Sequence, residues 1–272
     1  NPVGGDTRTG SIPVTSMKTL ANKQGFFLYS GLKQDRLYDS IEIFRLKRSG
    51  HMKYIVLDLE MNGVPKDNKE AFESSHMEII EIGAVALDED YREIDSFLTY
   101  VKPRFNEIIE PRYEEMTGIS TAMVKDAPGF EVAFEQFFRW CIDLDKEYEI
   151  ITWSSNDELQ IRHEMKQKKY QMSNEVKQFM NGWKDFQKIM GEMLGLERVL
   201  SLEKAIELMG LDFQGRQHDA LNDARNTAEI YAVVFDDKRD KEALNRVKEA
   251  LHPKTEGASL GELFDFSQFV QS

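Results

Sequence analysis

The sequence predicts an α/β fold, a mixed sheet of five strands flanked by helices, with a short β-rich extension before it and a tail after it. Three observations lead there. The run Tyr54-Ile55-Val56-Leu57 is apolar with β-branched and aromatic members, the composition of a strand buried on both faces. Two more strand patterns follow with short turns, which makes an antiparallel meander. Beyond them, helical apolar stripes alternate with short apolar runs that read as further strands.

The first domain-sized strand covers residues 53–60 and ends in two acids, Asp58 and Glu60. Residues 62–75 are polar with Gly and Pro and read as a loop beside those acids. The second strand spans 77–87 and carries Glu78 and Glu81 among apolar residues. Asp88-Glu89-Asp90 makes a tight turn into the third strand, 92–101, which Pro103 closes. A short helix over 111–116 ends at Thr117-Gly118. Residues 129–141 place apolar side chains at 130, 134, 137, 138 and 141, a helical stripe. A fourth strand over 149–153 leads into a helix over 156–170. Leu159 and Ile161 start the apolar side of that helix, and Lys166, Lys168 and Lys169 load its last turns, as the helix dipole favours. A short fifth strand is expected over 182–186, then helices over 187–194 and 201–209, with Ser201 as N-cap and Gly210 just past the end. Residues 218–235 form the last strong helical pattern, with a further helix over 243–251.

Three regions are expected: an extension or partial small α+β domain over 1–51, a main domain over 52–237, and a charged helix with an aromatic tail over 238–272. Lys47-Arg48-Ser49-Gly50-His51 reads as a linker, and Gly50-His51-Met52 also matches a vector-derived remnant. Leu263, Phe264, Phe266 and Phe269 form an apolar end that must pack on the domain or dock on a partner.

At 272 residues the chain has room for one large domain or a domain with an appendage. Its 41% apolar and 31% charged residues fit a soluble globular protein. No apolar run is long enough to span a bilayer and no secretory pattern begins at Asn1, so a cytoplasmic location is expected. Cys141, the lone cysteine, cannot form an internal disulfide and reads as a buried thiol. The net charge of −13 repels nucleic acid on average. An enzyme of nucleic acid with this balance needs local basic patches and bound cations.

Asp58 and Glu60 leave their strand on the same face, since strand side chains alternate. Two carboxylates there cost desolvation and repulsion unless a cation or hydrogen bonds compensate. The spacing suggests a divalent-metal site; an ordinary strand end reaching water would look the same. Asp157 follows the fourth strand at a helix start, where capping is its other reading. Asp223 lies five residues after His218. On a regular helix that separation is about 500°, so the two side chains diverge unless His218 sits before the helix proper. Asp219 competes as the capping acid, and a lone histidine near a helix start is often structural.

Taken in order, Asp-x-Glu on the first strand, an Asp after the fourth, and His-x-x-x-x-Asp at the last helix form a more specific set. The chain resembles the DEDDh (DnaQ-like) 3′→5′ exonucleases, which have a ribonuclease-H-like fold. The resemblance rests on Val56-Leu57-Asp58-Leu59-Glu60, on Glu78 through Ala84, on Met116-Thr117-Gly118-Ile119, on Thr152-Trp153-Ser154-Ser155-Asn156-Asp157, and on His218 through Asp223. It covers about residues 52–234. It implies that Asp58, Glu60, Asp157 and Asp223 hold two Mg²⁺ or Mn²⁺ ions and that His218 is the general base. The implied reaction releases nucleoside 5′-monophosphates from single-stranded RNA or DNA 3′ ends. It also implies contacts to the terminal nucleotide from Met61 and Asn62 and an apolar wedge from Met116 or Ile119. Trp153 would stack on a base or, as strand-end tryptophans often do, join the core. Met61-Asn62-Gly63 departs from the Thr-rich sequence of many relatives. Lys102, Arg104, Arg162 and residues 166–169 are the basic candidates for holding a strand, with solvated surface as their plainer role.

The extension faintly resembles part of the small ferredoxin-like protein that pairs with the CRISPR integrase, which is found fused to DEDDh trimming domains. That resemblance would make the chain a trimmer of prespacer DNA 3′ ends within an integrase complex. A non-catalytic nucleic-acid-binding or adaptor module, recruiting a protein partner through the extension or the tail, is the rival from another class.

Overall fold

A computed structural model of the chain describes residues 53–251 except Lys146, Glu197 and Asp240. The extension over 1–51 with its ferredoxin-like reading, and the aromatic segment of the tail, lie outside the described residues. Five strands form one sheet in the order β3-β2-β1-β4-β5. They are β1 (Lys53–Gly63), β2 (Met77–Leu87), β3 (Glu93–Tyr100), β4 (Tyr148–Thr152) and β5 (Lys184–Asp185). The meander β1-β2-β3 is antiparallel, and β4 runs parallel to both β1 and β5. The sheet is therefore mixed, as expected, with the acid-tipped strand at its centre.

The period of two along β1 splits the core. Tyr54 and Val56 face one side, with Val85 and Leu87 of β2 beside them. There they meet α7 (Phe186–Leu194), α8 (Leu202–Met209), α9 (Ala220–Phe235) and α10 (Glu242–Leu251). Ile55, Leu57 and Leu59 face the other side and meet α4 (Phe130–Leu144), α5 (Asn156–Gln167) and α6 (Asn174–Phe179). Asp58 and Glu60 continue the Tyr54-Val56 column, so they emerge on the α9 side. Cys141 is fully buried in the α4 layer.

Several elements differ from the sequence reading. The loop expected over 62–75 holds a short helix, α1 (Lys69–Ser74), capped by the Asn68 side chain. The helix ending at Gly118 is α2 (Pro111–Thr117), and a single turn, α3 (Thr121–Val124), follows it. That turn and α6 carry too few residues for a periodic stripe to register. The fifth strand shrinks to two residues because Asp185 turns the chain by capping α7. Leu159 is exposed, and the apolar side of α5 begins instead at Ile161. Lys168, expected as a surface charge, is wholly buried between Glu78 and Glu164. Ser201 and Gly210 bound α8 as expected. Among the described residues, no helix is long and apolar enough to cross a membrane.

Candidate active site

Register sets the first three acids. Glu60 pairs with Glu81 and Asp58 with Gly83 across the β1–β2 ladder, so Asp58, Glu60 and Glu81 share one face. A bulge between Glu60 and Met61 ends this regular stretch. Just there, Ile79 N–H leaves the ladder and donates to Glu164 Oε1 at 2.8 Å. Asp157 arrives from the first turn of α5, where Ser155 holds the N-cap position. Its carboxylate is restrained by the backbone N–H groups of Asp157 itself and of Leu59 on β1.

The last two side chains depend on the entry to α9. This helix begins at Ala220, two residues later than the sequence pattern places it, and Asp219 caps it by accepting from Asn222 N–H at 3.0 Å. His218 therefore sits before the helix, in a left-handed conformation with φ +58°. That removes the helical divergence from Asp223: the His218 N–H donates to Asp223 Oδ2 at 2.9 Å. Ligand atoms of Glu60, His218 and Asp223 all lie within 4.8 Å of one another.

The electrostatics follow from crowding carboxylates in a desolvated place. Burial first, then repulsion from Asp223, Glu81 and Asp157, pushes Glu60 up to about 8. Burial raises Asp157 to about 7, with Asp185 adding, and Glu81 to about 7, with Asp219 and Asp223 adding. Burial raises Asp223 to about 6 against the pull of the His218 N–H. Asp58 is driven well above the usual carboxylate range by burial and by Asp157, Glu60 and Asp223. Among the described residues, Asp223 Oδ1 is buried without a hydrogen-bond partner. An orphan anionic oxygen beside three more crowded carboxylates suits a hard divalent cation, which prefers oxygen ligands.

The structure treats the other sequence candidates unequally. Met116 at the end of α2 is 39% exposed and free to meet a ligand. Ile119, its alternative as the wedge, is buried with Ile80, Ile109 and Val124 and is spent on the core. Met61 is half-buried against the α4 layer. Asn62 is fully buried, and both its N–H groups are used on the carbonyls of Asn106 and Ile108, while its oxygen accepts from Glu110 N–H. It braces the loop before α2 instead of reaching a nucleotide. Trp153 joins the core edge-on to Phe186, which removes it as a stacking platform. Of the basic candidates, Arg104 and Arg162 pair with Glu131 and Glu158. Glu81 stands in the second strand among apolar residues, in the run that carries the resemblance, and its type alone indicates no role. Its Oε2 accepts from Ala220 N–H at 3.0 Å and anchors the start of α9.

An exonuclease (RNase T) family model matches residues 55–231. The chain belongs to that exonuclease family. It is 30% identical over 220 residues to ERI1 exoribonuclease 2 of Xenopus laevis, covering 73% of this chain and 31% of the frog protein. It is 33% identical over 162 residues to the 3′-5′ exonuclease crn-4 of Caenorhabditis elegans, covering 56% of this chain and 54% of the worm protein. The chain thus spans about a third to a half of these two relatives. Its fold is similar to the nuclease domain of 3′hExo, a DEDDh family member crystallised with rAMP. The TM-score is 0.59 at 23% identity, over 70% of this chain and 94% of that one. The mixed sheet with the acid pair on its central strand is thus a ribonuclease-H-like exonuclease fold, and membership implies dependence on a divalent metal.

Proposed function

We propose that this chain is a 3′→5′ exonuclease that removes nucleoside 5′-monophosphates from single-stranded 3′ ends, with RNA as the favoured substrate. The observation that carries the reading is the convergence of four desolvated acids with His218 in a turn outside the helix. The exoribonuclease relatives support RNA.

In this reading Asp58, Glu60, Asp157 and Asp223 hold Mg²⁺ or Mn²⁺, whose oxygen preference matches an all-carboxylate set. Bound there, two such ions would supply Lewis acidity at the attacked phosphodiester. His218, exposed beside the acids, takes the proton of the attacking water as general base. The Asp223 carboxylate, by gripping the His218 backbone N–H, sets where that base stands. Met116 packs against the terminal base from the α2 side.

The test is a time course on 5′-labelled single-stranded RNA and DNA with Mg²⁺, Mn²⁺ or chelator, beside Asp58→Ala. A metal-dependent ladder shortening from the 3′ end, absent from Asp58→Ala, is expected, and faster on RNA. Internal fragments would make the chain an endonuclease. Retention of both strands uncut, with binding intact, would make it a nucleic-acid-binding module.

A further inference from the structure

The turn that carries His218 is held at four points, and one of them reaches the end of α2. Asn226, fully buried on α9, accepts from Gln214 N–H and donates to the Gln214 carbonyl, both at 2.9 Å. Asp223 holds the His218 N–H and Glu81 holds the Ala220 N–H. These three ties bind the turn to α9 and β2, on its own side of the site. The fourth is Arg216. Its Nη2 donates to the Glu115 carbonyl at 2.8 Å and to the Met116 carbonyl at 3.1 Å, in the last turn of α2. Among the described residues, no other hydrogen bond joins this turn to α2.

The surroundings are shaped for that crossing. Gly118 ends α2 in the left-handed conformation at φ +74°, and a Cβ there would collide with the Arg216 guanidinium. Gly215, at φ +74°, lies so close to Asn222 that a Cβ would overlap the Asn222 amide. Arg216 therefore leaves a turn packed tightly on α9 and lies against the end of α2 in space that a glycine leaves free. Its anchors are backbone carbonyls of Met116, the exposed apolar residue near the end of that helix, and of Glu115 next to it. His218 stands two residues along the same turn from Arg216. A planar guanidinium holding two carbonyls restricts motion more than a single flexible donor does.

We propose that Arg216 is a positioning residue: it staples the His218 turn to the Met116 end of α2 and so fixes the width of the cleft in which the reaction runs. This rests on the exonuclease reading above. Widening the cleft moves the base away from a terminal nucleotide seated on Met116. The cost falls on turnover, because a misplacement of about 1 Å at the reacting atoms can cost roughly a hundredfold. The competing role for an exposed arginine beside acids is a direct contact to a substrate phosphate. The two differ in what they need from the substrate.

The experiment compares the full chain with Arg216→Met, Arg216→Lys and the charge control Arg239→Met, whose partner is Glu229 on the outer side of α9. Each is assayed on a single-stranded oligonucleotide and on the p-nitrophenyl ester of thymidine 5′-monophosphate, which has a single phosphodiester and no upstream strand. Both assays are run at low and high salt. The staple predicts that Arg216→Met lowers kcat by about tenfold to a hundredfold on both substrates with KM little changed. Arg216→Lys recovers part of the loss, because an ammonium still donates to a carbonyl. Arg239→Met behaves as wild type, and the salt slope stays the same. Gly118→Ala, which displaces the guanidinium, and Arg216→Met combine with less than additive loss. A loss confined to the oligonucleotide, with a salt slope lower by about 0.7, would make Arg216 a phosphate contact and overturn the staple. Unchanged kcat in Arg216→Met would overturn it too. If the wild type cleaves neither substrate, the functional reading falls. The staple is then judged by hydrogen exchange: segments 115–118 and 213–219 must both lose protection in Arg216→Met, and unchanged protection rejects it.

Discussion

Gly83 lies directly under Ala220: a Cβ on Gly83 would overlap the Ala220 carbonyl carbon and the Leu221 nitrogen. The first turn of α9 thus rests on the bare backbone of β2, opposite Asp58 in the ladder. This contact sets the depth at which Asp223 and His218 enter the site. Gly83→Ala should lift the helix, costing about 1–3 kcal/mol in stability as overpacking does. It should lower turnover more than that loss of folded protein explains. Chemical denaturation and kcat on the same samples check this, and wild-type turnover in a destabilised variant would show that the depth of α9 is not limiting.

Lys168 sits with no exposed side-chain surface between Glu78, at 3.0 Å, and Glu164. Both acids also accept from backbone N–H groups. Glu78 accepts from the N–H groups of Arg104, Phe105 and Asn106, and Glu164 from Ile79 at the bulge beside Glu60. Removing the cation leaves two buried carboxylates facing each other. Lys168→Met should destabilise the domain by about 3–5 kcal/mol, measured by urea unfolding. The triple change Lys168→Met, Glu78→Gln, Glu164→Gln should regain part of that. If the single change costs less than about 1 kcal/mol, the charges are not buried in solution.

What was legible in the sequence was whatever depends on local period. Tyr54 to Glu60 gave a central strand with two acids on one face because alternation is a local rule. Ser201 and Gly210 bounded a helix because caps are local chemistry. The turn at His218 is harder to read, because the polar run before Ala220 carries no period that marks where the helix begins. Only the Asp219 cap, the Asp223 grip on the His218 N–H and the Glu81 grip on the Ala220 N–H show where the helix begins, and two of those three are contacts beyond the cap. Lys168 and Asn62 misled for a related reason. A lysine at a helix end and an asparagine beside a catalytic strand have common surface and substrate roles. Glu164 is one turn from Lys168, but the other partners come from segments 44 to 90 residues away and could not be seen in the sequence.

His218 is close enough to Glu60 and Asp223 to share a cation with them, yet the reading above makes it a base. The two roles separate on substitution. His218→Ala should lose about a hundredfold to ten-thousandfold in kcat, the range for a general base, while keeping the thermal stabilisation by Mg²⁺ or Mn²⁺. Loss of that stabilisation in His218→Ala would make the imidazole a ligand. Asp223→Ala should lose both, since it removes the buried orphan oxygen together with the anchor of the His218 turn.

The crowded acids also set how stability depends on pH when metal is removed. Burial and mutual repulsion raise Glu60 from 4.5 to about 8, Glu81 from 4.5 to about 7, Asp157 from 3.8 to about 7 and Asp223 from 3.8 to about 6. Between the unfolded and folded values the folded protein holds more protons than the unfolded chain, so the slope of unfolding free energy with pH is negative. The stability these groups contribute in chelator should therefore be greatest below about pH 4, under their unfolded values, and should fall as pH rises towards about 8. A divalent cation needs the ionised carboxylates and bound only by the folded state, so its stabilising effect should grow over the same window. Thermal unfolding at several pH values, with chelator and with Mg²⁺, reads both slopes. The overall charge of −13 acts in the same direction, so the comparison is made against Glu60→Gln with Asp223→Asn, in which the chelator slope should flatten. An identical slope in that double variant would mean the acids titrate independently and are not desolvated together.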